Sequence, residues 1–402
     1  MPVKLKTAAG GSVSLQGHAS QSSDTTLTFP NGTGSNTQAL TTDGSGNLSW
    51  STAGGGGVMP NIAINGGMRI SQRGSSKSSS TDKTYLVDRF SLRNTSASES
   101  FTQEQSTDAP AGFINSLKVT APSSYSSGGS TDYVAIEYRP EGYDFEYTEV
   151  GSSDAKAVTI SFWVKSSETG TYTLAIREQE NGGLSYGTSY DIDDADTWTK
   201  VEKTITMATS GTDWGSGSNA ACLIDWTLNI DTYRQFPSND SWQSADYLGV
   251  NGQEQWATTS GATFYLTGVK IEVGSSATDF THSTYAEELA KCQRYYEKSY
   301  NMDTYAGASV YGGMRQAGNM DSNSGNYSQR LSVDYAVRKR ANPTITTYDS
   351  SGNSGKVNMP DTTTNVTPTL VINQESTFAI EASVTGTTDH RLYTHFVSDA
   401  EL

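Results

Sequence analysis

A period of two governs this chain. Val158, Ile160, Phe162 and Val164 alternate with Thr159, Ser161, Trp163 and Lys165, and the same alternation returns at Tyr172, Leu174 and Ile176 and at Ile224, Trp226, Leu228 and Ile230. Successive side chains on a strand point to opposite faces, so each segment reads as a strand with one buried face. Between Phe264 and Val273 the apolar set runs 264, 266, then 269, 271 and 273. The parity slips at Gly268, which predicts a β-bulge there. Many such strands joined by Gly, Ser and Asp turns, with no helical period between them, predict a mainly β fold: an antiparallel jelly-roll β-sandwich.

The alternation is not uniform along the 402 residues. Residues 1–57 hold 11 of the 39 glycines and only two aromatics, Phe29 and Trp50, too little apolar surface for a core of their own. Short strands there need a partner surface, and the segment reads as an attachment arm whose contacts are Leu27, Phe29, Leu40, Leu48 and Trp50. The run Gly54–Gly57 reads as a hinge. Residues 58–283 carry the sandwich pattern. At Thr284-x-x-Glu287 a capping box opens a helical period continued by Leu289, Cys292 and Tyr296, predicting a connecting helix over 284–298. Residues 299–402 return to strands, at Leu331/Val333/Tyr335/Val337, Thr369–Ile372, Phe378–Ala382 and Leu392–Val397, and read as a smaller C-terminal β domain.

Charge narrows the partners. Against 27 Lys and Arg stand 43 Asp and Glu, and a net charge of −16 repels phosphate backbones, so nucleic acid is excluded as a partner. The charge is uneven: residues 58–289 hold 15 basic and 30 acidic side chains, residues 290–402 hold 10 and 11. The two cysteines, Cys222 and Cys292, supply neither a disulfide framework nor a metal-binding spacing. The N-terminal stretch lacks the apolar core of a secretory signal, and no window approaches the ~18 apolar residues of a membrane span, so no membrane insertion is expected. An acidic, charge-poor chain rich in Gly, Ser, Thr and Tyr nevertheless has the composition of an extracellular binding protein. A virion component, made in the cytoplasm and released on lysis, satisfies both observations.

Five blocks in order carry a resemblance. Ile64-Asn-Gly-Gly-Met-Arg-Ile-Ser-Gln-Arg-Gly74, Asp88-Arg-Phe90, Ser161-Phe-Trp-Val-Lys-Ser166 with Thr169-Gly-Thr-Tyr172, Leu266-Thr-Gly-Val-Lys-Ile-Glu-Val-Gly274 with Ala277-Thr-Asp-Phe280, and the helix Ala286–Tyr296 together resemble a recurring module of bacteriophage tail fibres, similar to a carbohydrate-binding jelly roll. Leu40–Trp50 is similar to the virion-attachment ends of such fibres, and Ser398–Leu402 to their C-termini. The resemblance implies a non-enzymatic homotrimer in the virion's tail fibre. Residues 1–57 would dock on tail proteins and the outer end would meet a host surface glycan or other envelope component. Two other readings stay open: a capsid head fibre or decoration protein, and a polysaccharide depolymerase.

Candidate sites follow from residue chemistry. Trp214, Trp242 and Trp256, with Tyr186 and Tyr190, lie in Gly/Ser/Asp-rich stretches where ring faces can stack on sugars. The same rings serve equally as packing anchors at the sandwich ends or between subunits. Tyr300, Tyr305, Tyr311, Tyr327 and Tyr348, set among Asn, Ser and Gly, are the receptor candidates of the C-terminal region. Asp191, Asp193, Asp194 and Asp196 offer hard oxygens suited to calcium but lack the glycine and terminal glutamate of an EF-hand loop, so they read as a solvated acidic turn and no cofactor is expected. The run Arg338-Lys-Arg340 reads as a solvated turn as well, with a phosphate or lipopolysaccharide contact at the tip as the alternative. His18, His282, His390 and His395 adjoin no nucleophile motif, and no carboxylate pair stands out for glycoside hydrolysis.

Overall fold

The computed structural model describes residues 3–6, 12–15, 26–32, 38–42, 47–52, 61–96, 99–126, 129–178, 183–211, 213–317, 326–359, 366–385 and 391–402. The glycine run 54–57, His18, His390 and the side chain of Tyr327 lie outside them. Contacts divide the chain into two compact units, Met1–Val58 and Met59–Leu402.

In the first unit Val3–Lys6 pairs antiparallel with Ser12–Leu15, and Gln38–Thr42 with Leu48–Thr52. These strands pair within the chain, whereas the sequence suggested that they need another surface. No residue with a described side chain in this unit is buried. The Trp50 indole donates to the Gly32 carbonyl at 3.0 Å, while Leu27, Phe29 and Leu40 are exposed and Leu48 and Trp50 half-buried.

The second unit is built on two facing antiparallel sheets, the expected sandwich. One runs, in spatial order, Trp242–Gln243, Ser185–Ile192, Gly170–Arg177, Leu223–Ile230, Tyr133–Tyr138, Phe90–Asn94 and Thr84–Tyr85; the other Thr199–Thr206, Ala157–Ser166, Thr263–Val273, Ser116–Thr120, Phe101–Ser106 and Ser76–Ser79. The inward residues that alternation picked out, Val158, Ile160, Phe162, Val164, Tyr172, Leu174, Ile176, Ile224, Trp226 and Leu228, all lie in one core between the sheets. Gly268 sits where the pairing of Ala157–Ser166 with Thr263–Val273 shifts register, with φ at +63°. A Cβ there would stand 2.7 Å from Phe113 Cζ and 2.9 Å from Trp163 Cδ1, so the bulge requires glycine for both backbone and space.

The outer face of the larger sheet is covered rather than solvated. Arg93, Glu137, Arg177 and Asp225 are buried there as ion pairs, with Arg177 Nε 2.9 Å from Asp225 and Arg93 Nη1 2.8 Å from Glu137. Tyr133, Ala135, Ile230 and Leu248 pack beside them.

The capping box at Thr284 is formed in full, with Thr284 N donating to Glu287 Oε2 at 2.9 Å. The helix, however, spans Tyr285–Gln293 and stops short of 298. Tyr296–Lys298 leave it to pair with Leu392–Asp399, and Tyr295 and Cys292 enter a small core with Ile64, Ile70 and Leu402. Tertiary pairing with a distant strand overrides the local helical period.

Leu392–Asp399 also pairs with Arg315–Ala317 and Thr344–Tyr348. A separate three-stranded sheet follows the order Asn326–Asp334, Thr377–Thr385, Thr369–Asn373. Leu331, Val333, Phe378, Ile380 and Phe396 fill the core between these pieces. The Asn326–Asp334 strand ends before Tyr335 and Val337, which the alternation had included.

Candidate functional site

Three of the five sandwich aromatics meet at one edge of the larger sheet. Tyr186 and Trp242 are register partners across the edge pair, with ring centroids 5.4 Å apart, and Trp214 meets Trp242 edge-on at 5.7 Å and 87°. The backbone fixes both indoles: Trp242 donates to the Thr206 carbonyl and Trp214 to the Ser210 carbonyl, each at 2.9 Å. Gly151, at φ +81°, lets the chain approach the Trp214 ring, since a Cβ there would lie 2.9 Å from Cδ1. All three rings stay half-buried, and partial burial raises the Tyr186 hydroxyl above its ordinary pKa, helped by Asp240.

Trp256 and Tyr190 do not belong to this cluster. Trp256 is fully buried and stacks on Phe101 at 6.3 Å, and Tyr190 is buried against Tyr172 and Phe162. Their rings fill the sandwich core and present no face to a ligand, a correction to the candidate set. Spacing along a Gly/Ser-rich stretch does not reveal which way a ring points.

Beside Trp214 lies a hollow of about 500 Å³, lined with Arg139, Asp213, Ser216, Asn219 and Arg340. Its cations are held in place: Arg139 Nε donates to Glu137 at 2.7 Å, and Arg340 donates to the carbonyls of Ser218 at 3.0 Å and Glu401 at 2.8 Å. Burial pulls the Arg340 guanidinium below its usual pKa, with Arg89 adding to the effect. Asp213, Ser216 and Asn219 are exposed at the rim. A fixed indole edged by a carboxylate, an amide, a hydroxyl and two guanidinium groups can stack on a pyranose ring and bond its hydroxyls. Arg139 was not foreseen, and Arg340 was read as part of a solvated turn. The expected solvated turn at 338–340 is in fact built into the fold, since Lys339 is buried with its ammonium 2.6 Å from Glu297. Only Arg338 of the three is largely exposed, 2.6 Å from Glu375.

The C-terminal tyrosines divide. Tyr305 and Tyr311 are exposed, at 63% and 77%. Tyr300 is buried, stacked 3.8 Å from the His395 ring, and its hydroxyl accepts from Gly307 N, so it is a packing residue rather than a receptor contact. Tyr348 is half-buried, edge-on to Tyr300 at 6.1 Å. Burial lowers the His395 pKa; Nδ1 sits 3.0 Å from Ser299 Oγ and Nε2 3.1 Å from the Val310 carbonyl. Asp191 accepts from Thr171 Oγ1 at 2.7 Å and Asp193 is exposed; among the described residues no group of three or more His, Cys, Asp or Glu is arranged to hold a metal ion.

No family model and no curated protein matches the chain. Among solved structures it is similar to the tailspike protein 4 enzymatically active domain of bacteriophage CBA120, at 11% identity and a TM-score of 0.29, over 53% of this chain and 21% of that one. It is also similar to the CBM22-1 xylan-binding domain from Paenibacillus barcinonensis, at 12% identity and 0.25, over 51% of this chain and 99% of the other. The family 11 carbohydrate-binding module from Clostridium thermocellum, in complex with a mixed-linked tetrasaccharide, aligns at 14% and 0.26, over 51% and 99%. All three TM-scores lie below 0.5, and the functional reading rests on the chain's own residues.

Proposed function

We propose that this chain is a phage tail fibre protein, non-enzymatic, that attaches to the tail through residues 1–57 and binds host surface glycan during adsorption. The observation that carries the glycan reading is the Trp214, Trp242 and Tyr186 cluster beside the polar hollow of Arg139, Asp213, Asn219 and Arg340. Rings fixed by backbone bonds lose little entropy on binding, and the rim supplies both acceptors and donors for hydroxyls. The attachment reading is supported by the first unit, whose described apolar side chains Leu27, Phe29 and Leu40 stay exposed and want a partner. A homotrimer is part of the proposal, on the strength of the sequence resemblance.

The test uses the full chain. Retention on host envelope polysaccharide is compared between wild type and Trp214→Ala, with Trp198→Ala, a half-buried indole elsewhere on the sandwich, as control. Loss of retention in the first variant alone is expected. Equal retention by all three proteins would remove the assignment, and release of reducing ends from the polysaccharide would turn the reading to a depolymerase.

A further inference from the structure

A second hollow, of about 490 Å³, is lined by Tyr143, Asp144 and Tyr147 of the short helical segment Gly142–Thr148, whose Gly142, Phe145 and Glu146 line a smaller cavity with Trp214. Its lining is mostly apolar, with Ile62, Ile64, Val273, Tyr143 and Tyr147. Both tyrosines are exposed, at 57% and 65%. Their positions follow from the segment itself: Phe145 and Thr148 are drawn into the interior, and residues four apart on a helical turn share a face, so Tyr143 and Tyr147 emerge together. The platform is fixed. Gly142 N donates to the Asn219 carbonyl at 2.8 Å and Tyr143 N to the Gly217 carbonyl at 2.9 Å, and a Cβ on Gly142 would come within 2.6 Å of Ser216 Cα.

The charges of this hollow are specific. Glu141 is spent, since Arg294 Nε and Nη2 and the Tyr295 hydroxyl all donate to it at 2.9, 2.5 and 2.6 Å. Asp144 is different: its carboxylate has no hydrogen bond or ion pair among the described residues, and partial burial, with Glu141 nearby, raises its pKa. Lys291 faces the same space with only Ser283 Oγ at 3.3 Å and Glu288 at 4.0 Å. Two anions and two cations leave the lining neutral in sum, with the Asp144 carboxylate uncommitted and the Lys291 ammonium held only by two long contacts.

We propose that this hollow is a second saccharide-binding site, separate from the one beside Trp214, and that it takes a short uncharged oligosaccharide. The C–H face of a pyranose matches the two tyrosine rings, Asp144 accepts from ring hydroxyls and Lys291 donates to them. A charged ligand gives up hydration in a lining whose charges sum to zero and receives no net attraction in return, which selects for a neutral one. Two sites on one chain raise avidity through effective concentration and require no new contact at either.

The experiment is an array of neutral, uronic-acid and amino-sugar oligosaccharides probed with the full chain, with Tyr143→Ala/Tyr147→Ala, with Asp144→Asn and with Trp214→Ala. At least one neutral oligosaccharide is expected to lose tenfold or more in retention in the double variant and severalfold in Asp144→Asn, while Trp214→Ala leaves it unchanged; circular dichroism confirms that the double variant is folded. If no neutral oligosaccharide depends on Tyr143 and Tyr147, including the case of no binding at all, the proposal is overturned. Hits that depend on Trp214 alone overturn it and leave the other site standing; hits that depend on the tyrosines alone do the reverse.

Discussion

The guanidinium of Arg89 lies 3.5 Å from the ring centroid of Tyr295 while its Nη1 pairs with Glu401, 312 residues along the chain. Both cation and ring are buried, and the Tyr295 hydroxyl passes the connection on to Glu141. One side chain from the start of the sandwich thereby ties the end of the helix to the C-terminal strand region. Arg73 reinforces it, 3.3 Å from Glu401 and 3.7 Å from the centre of the Tyr296 ring.

Replacing Arg89 by Met leaves the buried Glu401 carboxylate with Arg73, 3.3 Å away, as its remaining cation, so the cost is expected below the roughly 3 to 5 kcal/mol of a buried charge left alone, at about 1 to 3 kcal/mol. Arg89→Met is therefore expected to lower the free energy of unfolding of the Met59–Leu402 unit, read from urea denaturation of the full chain, by an amount of that order. A change within about 0.5 kcal/mol, the size of an ordinary surface substitution, would show that the Arg89 link is not holding the C-terminal sheets.

Gly268 gives a second stability prediction. Any side chain there adopts an unfavourable positive φ and meets Phe113 and Trp163 closer than 3 Å. Gly268→Ala is expected to cost about 1 to 3 kcal/mol, read as a drop in unfolding temperature, whereas Gly261→Ala, at a similar φ of +70° and with nothing within 4 Å, measures the backbone cost alone. Equal effects of the two substitutions would mean that the crowding at the bulge relaxes freely.

That bulge was legible because it breaks a parity, and the strands were legible because one face of each is buried: both signals live in neighbouring residues. The Thr284 capping box was readable for the same reason. The end of its helix was not, since Tyr295 and Tyr296 continue the helical spacing and are claimed by Asp399 and its neighbours, a pairing no local window contains. The same limit explains the site. Tyr186 and Trp242 were picked for their composition, but only strand register brings them together, and Trp256, in an equally polar stretch, turns inward. The second hollow draws on residues near 61, 143, 273 and 291, so its sole sequence signal was the pair of tyrosines four apart in an acidic stretch.

The two tryptophans therefore separate stability from binding. Trp256→Ala removes a fully buried ring and is expected to cost about 3 to 5 kcal/mol. Trp214→Ala, half-buried at the edge, is expected to cost no more than about 2 kcal/mol and to lose retention on the host envelope polysaccharide. Chemical denaturation and a binding assay on the same preparations check both; a Trp214 variant as unstable as the Trp256 one would make its binding loss uninformative and the cluster a packing element.

Cys222 and Cys292 are fully buried, and burial pushes both thiols well above their usual pKa. The thiolate is the reactive form, so neither is expected to react with an aromatic disulfide reagent in the folded chain at neutral pH. Two thiols should appear on denaturation; rapid labelling of the native protein would place one of them at the surface.

Acid should strengthen one part of the fold. Asp88 is buried, with Gln72 Nε2 at 2.6 Å and Arg73 Nη1 at 3.2 Å, and burial outweighs both donors to raise its carboxyl to about 6. Asp225, buried beside Arg177 and Glu137, is raised to about 6 for the same first reason. A raised carboxylate binds its proton in the folded chain at a pH where the unfolded chain has already lost it. Its contribution to stability is therefore complete below the unfolded pKa and disappears as pH rises through about 6. For Asp88, one and a half pH steps at about 1.4 kcal/mol each amount to roughly 2 kcal/mol between about pH 7.5 and pH 4.5. Asp88→Asn removes the titration and keeps the shape. Relative to that variant, the wild type is expected to gain stability of this order on acidification, measured by urea unfolding at the two pH values, while the carboxyl carbon resonance of Asp88 titrates near 6. A difference that stays constant, or that shrinks on acidification, would mean that Arg73 and Gln72 keep the carboxylate ionised and that burial is not the controlling effect.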